Sequence, residues 1–388
     1  MKIGIECISS IAGKVGILTY KRSLIRELTK ISPGEEFHLL TSYRKVPQLR
    51  AIFGDVPNIK YDNCFPHPKM LGAMGAPFIK FVSRPLWLKW SRQLDILHFT
   101  SPSRLTNIEL KNLVVTIHDM ICFYDWLEVK REDEKMLFLA RQGIEYTTKH
   151  ARLILVPSHF VMDEVVRYFP QSKNKIKVTY EAADDRFRRA TADQTILKKY
   201  GIHDDLPFFL YVGDFRSRKN LKRLLEAFSR LPRNILKEFR LVFVGGGHRN
   251  WISELYHWVS DLSISGSFIH LENVPDADLV HFYNTAYGSI YISLSEGFGL
   301  PILEAMQSGC PVITSNCSCM PEIAGDAAIL VDPLQIESIR DGMLQLIEKP
   351  NLRNEFIQKG LQRAREFSWQ KTARETLKGY QAVVSGEL

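Results

Sequence analysis

The chain contains no apolar run of the roughly 18 residues that a membrane-spanning helix requires, so any membrane contact is expected to be peripheral. No charged-then-apolar leader precedes the first strand pattern at Lys2–Ile8. A secretory signal is therefore not supported and a cytoplasmic location is expected. Cysteine is present but unpatterned: Cys7, Cys64, Cys122, Cys310, Cys317 and Cys319 show no framework spacing, so reduced, mostly buried thiols are the default. Cys317 and Cys319 have no second Cys or His pair nearby to complete a metal site. The G-x-G-x-x-G spacing is also missing, and Gly245-Gly246-Gly247 reads as a tight turn after a strand. Acidic residues are absent between Asp62 and Asp95, where Lys69, Lys80, Arg84, Lys89 and Arg92 alternate with Phe78, Phe81, Trp87 and Trp90. That mixture suits peripheral docking on an anionic membrane surface. Packing of the same aromatics into a core is the alternative.

What is present suits a two-domain globular protein. The 388 residues are 45% hydrophobic and 24% charged, enough for two cores and unlike a disordered chain. Residues 1–180 hold 27 Lys+Arg and 17 Asp+Glu, the remainder 24 and 26, so the positive excess belongs to the first half. Strand-like runs at Ile3–Cys7, Phe37–Ser42, Asp95–Phe99, Leu113–Ile117 and Leu153–Pro157 alternate with helical patterns at Gly16–Leu28 and Glu134–Lys149. Such alternation predicts a parallel sheet with helices on both faces. Ser158 is placed to cap the helix that follows. The polar stretch from Ala182 to Leu206 sets a boundary near Asp184, giving domains 1–183 and 184–369, and Phe208–Gly213 opens a second α/β alternation.

The most informative stretch is Ser295–Glu304, S-E-G-F-G-L-P-I-L-E. The β-branched run Gly288–Leu294 precedes it as a buried strand, and Pro301 stands where a helix would begin. Glycines there let backbone approach a ligand, and the helix start offers N–H groups to an anion. Glu296 and Glu304 flank the turn as acceptors for hydroxyls. A phosphorylated, polyhydroxylated ligand fits both halves.

This stretch resembles the E-x7-E signature of the retaining, nucleotide-sugar-dependent glycosyltransferases of family 4, whose GT-B fold has two Rossmann-like domains. The resemblance implies that Glu296 contacts the transferred sugar, that Glu304 holds the ribose, and that the backbone of Phe298, Gly299 and Leu300 faces sugar and diphosphate. It covers the whole chain, most strongly Phe208–Trp369, and implies that residues 370–388 form a helix crossing back to the first domain. Leu113–Asp119 resembles the family's T-x-H-D segment and makes His118 a sugar-facing catalytic candidate. Val15–Tyr20 keeps one of the family's three loop glycines as Gly16, a donor-binding candidate. Arg218 and Lys219, cations at a helix start, oppose the dipole. The resemblance makes Lys219 the diphosphate clamp, with Arg218 beside it and Arg216 as a spare, while Asp214 replaces an arginine found in some relatives. Asp276-Ala277-Asp278 matches the D-x-D of metal-dependent glycosyltransferases of the other fold, but reads better as a helix N-cap, Asp276, and a first-turn acid.

The expected activity is retaining, metal-independent hexosyl transfer, with the donor in the second domain, the acceptor in the first and the site in the cleft between them. The donor is expected to be GDP-mannose or another nucleotide sugar, with no separate cofactor. The acceptor is a saccharide or lipid-linked hydroxyl, as in bacterial mannosyl- and rhamnosyltransferases of surface polysaccharide assembly; no nucleic-acid partner is expected. A UDP-sugar donor and a GT-B sugar-nucleotide epimerase are the alternatives.

Overall fold

The computed structural model describes residues 1–8, 16–65, 85–102, 109–124, 131–203 and 206–388. It divides into two compact units, Met1–Glu181 with Trp369–Leu388, and Ala182–Ser368.

The first unit is built on strands β1 (Lys2–Glu6), β2 (Glu36–Ser42), β3 (Ile59–Phe65), β4 (Ile96–Phe99), β5 (Leu113–Thr116), β6 (Leu153–Val156) and β7 (Ile176–Val178). They form one parallel sheet in the order β3-β2-β1-β4-β5-β6-β7. Four-residue strands such as β4, β5 and β6 are buried along their whole length, as a sheet covered on both faces requires. The covering helices include α1 (Gly16–Ile31), α2 (Val46–Phe53), α3 (Arg131–His150) and α4 (His159–Tyr168). Ser158 caps α4 as expected, accepting from the Val161 N–H.

The second unit carries β8 (Phe208–Val212), β9 (Arg240–Val244), β10 (Phe268–Leu271), β11 (Gly288–Tyr291), β12 (Val312–Ser315) and β13 (Ala328–Val331). These strands are also all parallel, in the order β10-β9-β8-β11-β12-β13. Its helices are α5 (Gln194–Lys199), α6 (Leu221–Ser229), α7 (Arg233–Glu238), α8 (Arg249–Asp261), α9 (Asp276–Thr285), α10 (Leu300–Gln307), α11 (Met320–Ala324), α12 (Ile336–Glu348) and α13 (Pro350–Ala364). The chain then returns to the first unit as α14 (Trp369–Ser385), which packs on α1.

In both sheets the strand order reverses beside the first strand, between β1 and β4 and between β8 and β11. Open α/β sheets bind ligands outside the carboxyl ends of the strands at such a switch point. The backbone of the second unit is tailored there. Gly245 has φ 144°, and a Cβ on it would stand 1.9 Å from the Gly213 carbonyl oxygen. Only glycine lets the loops after β8 and β9 lie this close.

Two expectations change. Trp87 is 4% exposed and packs on Phe99 with ring centroids 4.6 Å apart, while Trp90 is partly buried against the same core. The tryptophans thus serve the sheet, because they lie on helical residues 85–93 that cover it. Lys69, Phe78, Lys80, Phe81 and Arg84 lie outside the described residues. Among the described residues, no helix is long and apolar enough to cross a membrane. Asp276 is not an N-cap: Pro275 holds that position and Asp276 is the first helical residue of α9.

Candidate active site

The loop from β11 into α10 has a backbone that only its own sequence permits. Gly299 sits at the N-cap with φ 88° and ψ 51°, a left-handed conformation open to glycine at little cost. The helix starts at Leu300, one residue before expectation, with Pro301 second. Proline is tolerated at either place because neither N–H would have an intrahelical partner. The N–H groups of Gly299 and Leu300 meet no acceptor among the described residues. The loop is pinned on both sides. The Leu294 N–H donates to the Arg218 carbonyl at 2.8 Å, and the Ser318 hydroxyl accepts from the Glu296 N–H at 3.1 Å and donates to the Glu296 carbonyl at 2.9 Å.

Glu296 is 7% exposed and bridges two cations. Its Oε2 is 2.6 Å from Arg218 Nη1 and its Oε1 is 2.6 Å from Lys219 Nζ. Arg218 also donates to the Ser295 carbonyl at 3.1 Å, and Lys219, 5% exposed, donates to the Tyr291 hydroxyl at 2.6 Å. Burial pushes the Glu296 carboxyl up, but the charges of Arg218 and Lys219 and their hydrogen bonds outweigh it and hold the group at about 2. The Lys219 ammonium is lowered by burial, against the opposing pull of Glu296. The sequence reading left the anion beside these cations to a ligand. The protein supplies one itself, and the cations stand not in α6 but in a single 3-10 turn, Ser217–Lys219, ahead of the left-handed Asn220. Asp214 lies at the rim, 4.0 Å from Lys219 and 3.5 Å from Arg216.

Glu304 is treated differently by its surroundings. Its partner is a neutral group, the Tyr283 hydroxyl, which donates to Oε2 at 3.0 Å. Burial, opposed by that hydrogen bond and reinforced by Asp276 and Asp184, pushes the carboxyl up to about 7. Part of the residue remains open to solvent. Two glutamates eight residues apart therefore have separate jobs: one is a fixed anion between cations, the other titrates near neutrality. Phe298 contributes its backbone to this loop, since its ring is buried edge-on against Phe367 at 6.0 Å.

Asp276 and Asp278 are committed elsewhere. Asp276 pairs with Arg186 at 3.4 Å, and Asp278 accepts from Lys199 at 3.3 Å and from the Tyr200 hydroxyl at 2.6 Å. Among the described residues, no cluster of three or more His, Cys, Asp or Glu could hold a metal.

In the first unit, His118 follows β5 with both ring nitrogens engaged. Nε2 lies 3.0 Å from the Thr100 carbonyl and Nδ1 3.2 Å from Glu181 Oε1, and the Tyr20 ring meets it edge-on at 4.8 Å. The Tyr20 hydroxyl reaches Thr116 Oγ1 at 3.0 Å, and His98 links Thr116, at 2.8 Å, to the Tyr380 hydroxyl of α14, at 2.6 Å. Gly16 is the exposed first residue of α1, and its preceding loop, with Gly13, lies outside the described residues. Thus Arg218, Lys219, Glu296, Gly299 and Leu300 gather on one loop pair, Glu304 lies a helical turn beyond, and His118 and Gly16 belong to the other unit.

Sequence reasoning missed Tyr291, Ser318, Tyr283 and Glu181. Each sits in a run that reads as plain strand, helix or loop, and its partner is distant in the chain, so no local spacing marks it.

A model of the family described as glycosyl transferases group 1 matches residues 192–363. The O-antigen chain mannosyltransferase B of Escherichia coli is 32% identical over 277 residues, 71% of this chain and 71% of that protein. A glycosyltransferase of Rickettsia africae ESF-5 shares the fold with a TM-score of 0.74 at 18% identity, over 99% of this chain and 98% of its own. HepE of Anabaena, solved with UDP and glucose, does so with a TM-score of 0.72 at 15% identity, over 98% and 100%.

Proposed function

The chain belongs to the group 1 glycosyltransferases, and from that membership we propose that it moves a hexose, mannose first, from a nucleoside-diphosphate sugar to a hydroxyl of a saccharide or lipid-linked acceptor in surface polysaccharide assembly. Its two doubly wound parallel sheets are those of the GT-B fold. The observation that carries the proposal is that Arg218 and Lys219, both bound to Glu296, and the open N–H groups of Gly299 and Leu300 lie on the two loops after β8 and β11 that flank the switch point of the second sheet. In the transfer, the bond from the sugar's anomeric carbon to the phosphate oxygen breaks. The diphosphate leaves with the electron pair, and the acceptor hydroxyl's oxygen bonds to that carbon while its proton passes to an oxygen of the departing diphosphate. Fixed cations and aligned N–H groups stabilise the developing charge, and this places no demand on a metal ion. Glu304 would accept hydrogen bonds from the ribose hydroxyls, and Glu296 and His118 would contact the sugar. Retention of configuration is inferred from the family resemblance. It gives an α-linked product from an α-linked donor, and a β-linkage in the product's NMR spectrum would overturn it.

Mannose is inferred from the Escherichia coli relative, and GDP follows as the first carrier to test. A ligand that binds only the folded state stabilises it by about 2.7 kcal/mol at a hundredfold excess over its Kd. In a thermal-shift screen, GDP is expected to raise the Tm more than UDP or dTDP. A larger shift with UDP would make the donor a UDP-sugar.

The raised Glu304 carboxyl gives a pH signature. Below about 7 the group is protonated and above it ionised, and the ionised form is the stronger acceptor for a ribose hydroxyl. GDP affinity is therefore expected to rise between pH 6 and 8, by at most about tenfold per pH unit for one proton. Glu304→Gln should flatten the part of the profile that GDP's own ionisation does not explain. An identical profile in both proteins would count against the ribose assignment.

A further inference from the structure

We propose that Tyr291 is a positioning residue for Lys219, its hydroxyl aiming the ammonium at the departing diphosphate. The inference rests on the reading of Lys219 given above. Tyr291 is 3% exposed at the end of β11, and its carbonyl is held by the Thr314 hydroxyl at 2.6 Å. Its hydroxyl oxygen accepts from Lys219 Nζ at 2.6 Å, and the same nitrogen lies 4.8 Å from the centre of its ring. The ring is itself set in place, nearly parallel to Tyr211 at 14° and 6.4 Å. The Tyr211 hydroxyl in turn donates to the Asp214 carbonyl at 2.6 Å, tying down the loop that carries Arg216–Lys219. One tyrosine of the pair thus anchors the start of the lysine's loop and the other meets its tip.

A lysine has a flexible four-carbon stem and three donors at its end. Here one donor goes to Glu296 and one to Tyr291; Asp214, 4.0 Å from the ammonium, is beyond hydrogen-bond reach, so the third donor remains for a phosphate oxygen. A neutral acceptor suits this second position. With Glu296 bound and Asp214 4.0 Å away, another carboxylate at hydrogen-bond distance would orient the ammonium equally well but would cancel the charge that the diphosphate needs. Burial, followed by the Glu296 charge, raises the Tyr291 phenol well above its ordinary range, so it stays neutral while it accepts.

A double-mutant cycle tests the inference, using release of nucleoside diphosphate from the donor whose nucleotide gives the largest thermal shift. Tyr291→Phe keeps the ring and removes the hydroxyl. It is expected to lower kcat about tenfold, the scale of one hydrogen bond to a charged group, with KM for the donor unchanged. In a Lys219→Ala background the same substitution should cost nothing, because contacting residues are energetically coupled. Equal losses in both backgrounds, or full activity of the single Tyr291→Phe variant, would overturn the proposal and make Tyr291 a packing residue. Wild-type turnover in Lys219→Ala alone would instead overturn the role given to Lys219, and the tyrosine's with it.

Discussion

Replacing Lys219 with alanine is expected to lower turnover by about 100- to 1,000-fold, the usual loss when one preorganised group stabilising transition-state charge is removed. The size follows from where the ammonium sits. It is buried beside Glu296 and Tyr291, so no bulk water is on hand to replace it. Arg218 is too firmly engaged to substitute, holding both Glu296 and the Ser295 carbonyl. Because the charge is met by side chains and backbone N–H groups, wild-type turnover should survive EDTA. A rate lost in EDTA and restored by magnesium or manganese would contradict this account, as would a Lys219→Ala enzyme within threefold of wild type.

The second large effect separates the two glutamates. Glu296→Ala should drop kcat by at least about 100-fold while leaving GDP affinity unchanged or raised, because the substitution strips Arg218 and Lys219 of their internal counter-ion and a diphosphate can take its place. The same loss should show in stability. Breaking a buried ion pair by deleting one partner costs about 3–5 kcal/mol, and GDP should restore more of the Tm in this variant than in wild type. The native pair carries a pH dependence of defined sign. Glu296 is held at about 2 against an ordinary value of 4.5, so its stabilisation is complete above about 4.5 and is lost as pH falls towards 2. Glu304→Ala should behave oppositely, weakening GDP about 10- to 100-fold, since one hydrogen bond to a charged group contributes about 1.5–3 kcal/mol. Calorimetric titration of GDP into both variants decides the matter. Equal loss of affinity in the two would refute the division of labour.

Much of this architecture was legible in the chain because it is local. The buried run Phe208–Val212, the strand Gly288–Tyr291 and the glycine–proline turn after it announce themselves through burial pattern and backbone need. Gly299 could be marked for its turn because a left-handed N-cap excludes most side chains. What was not legible is pairwise and distant. Lys219 and Glu296 could each be singled out, but their bond spans 77 positions. Nothing local to Lys219 therefore marks its counter-ion as one of the chain's own residues. Tyr291 lies in an apolar strand and reads as core, which it also is. Trp87 had the composition of a membrane anchor and the position of a core residue, and burial on Phe99 decided between them. Asp276 looked like a cap until Pro275, with its fixed φ, took that place.

The central claim is that the loops after β8 and β11 form a nucleoside-diphosphate site. A crystal structure of the protein with GDP tests it most directly. The account predicts diphosphate oxygens within hydrogen-bond distance of Lys219 Nζ and of the Gly299 or Leu300 N–H, with the ribose on Glu304. A diphosphate bound away from these groups, with Lys219 still held only by Glu296 and Tyr291, would contradict it.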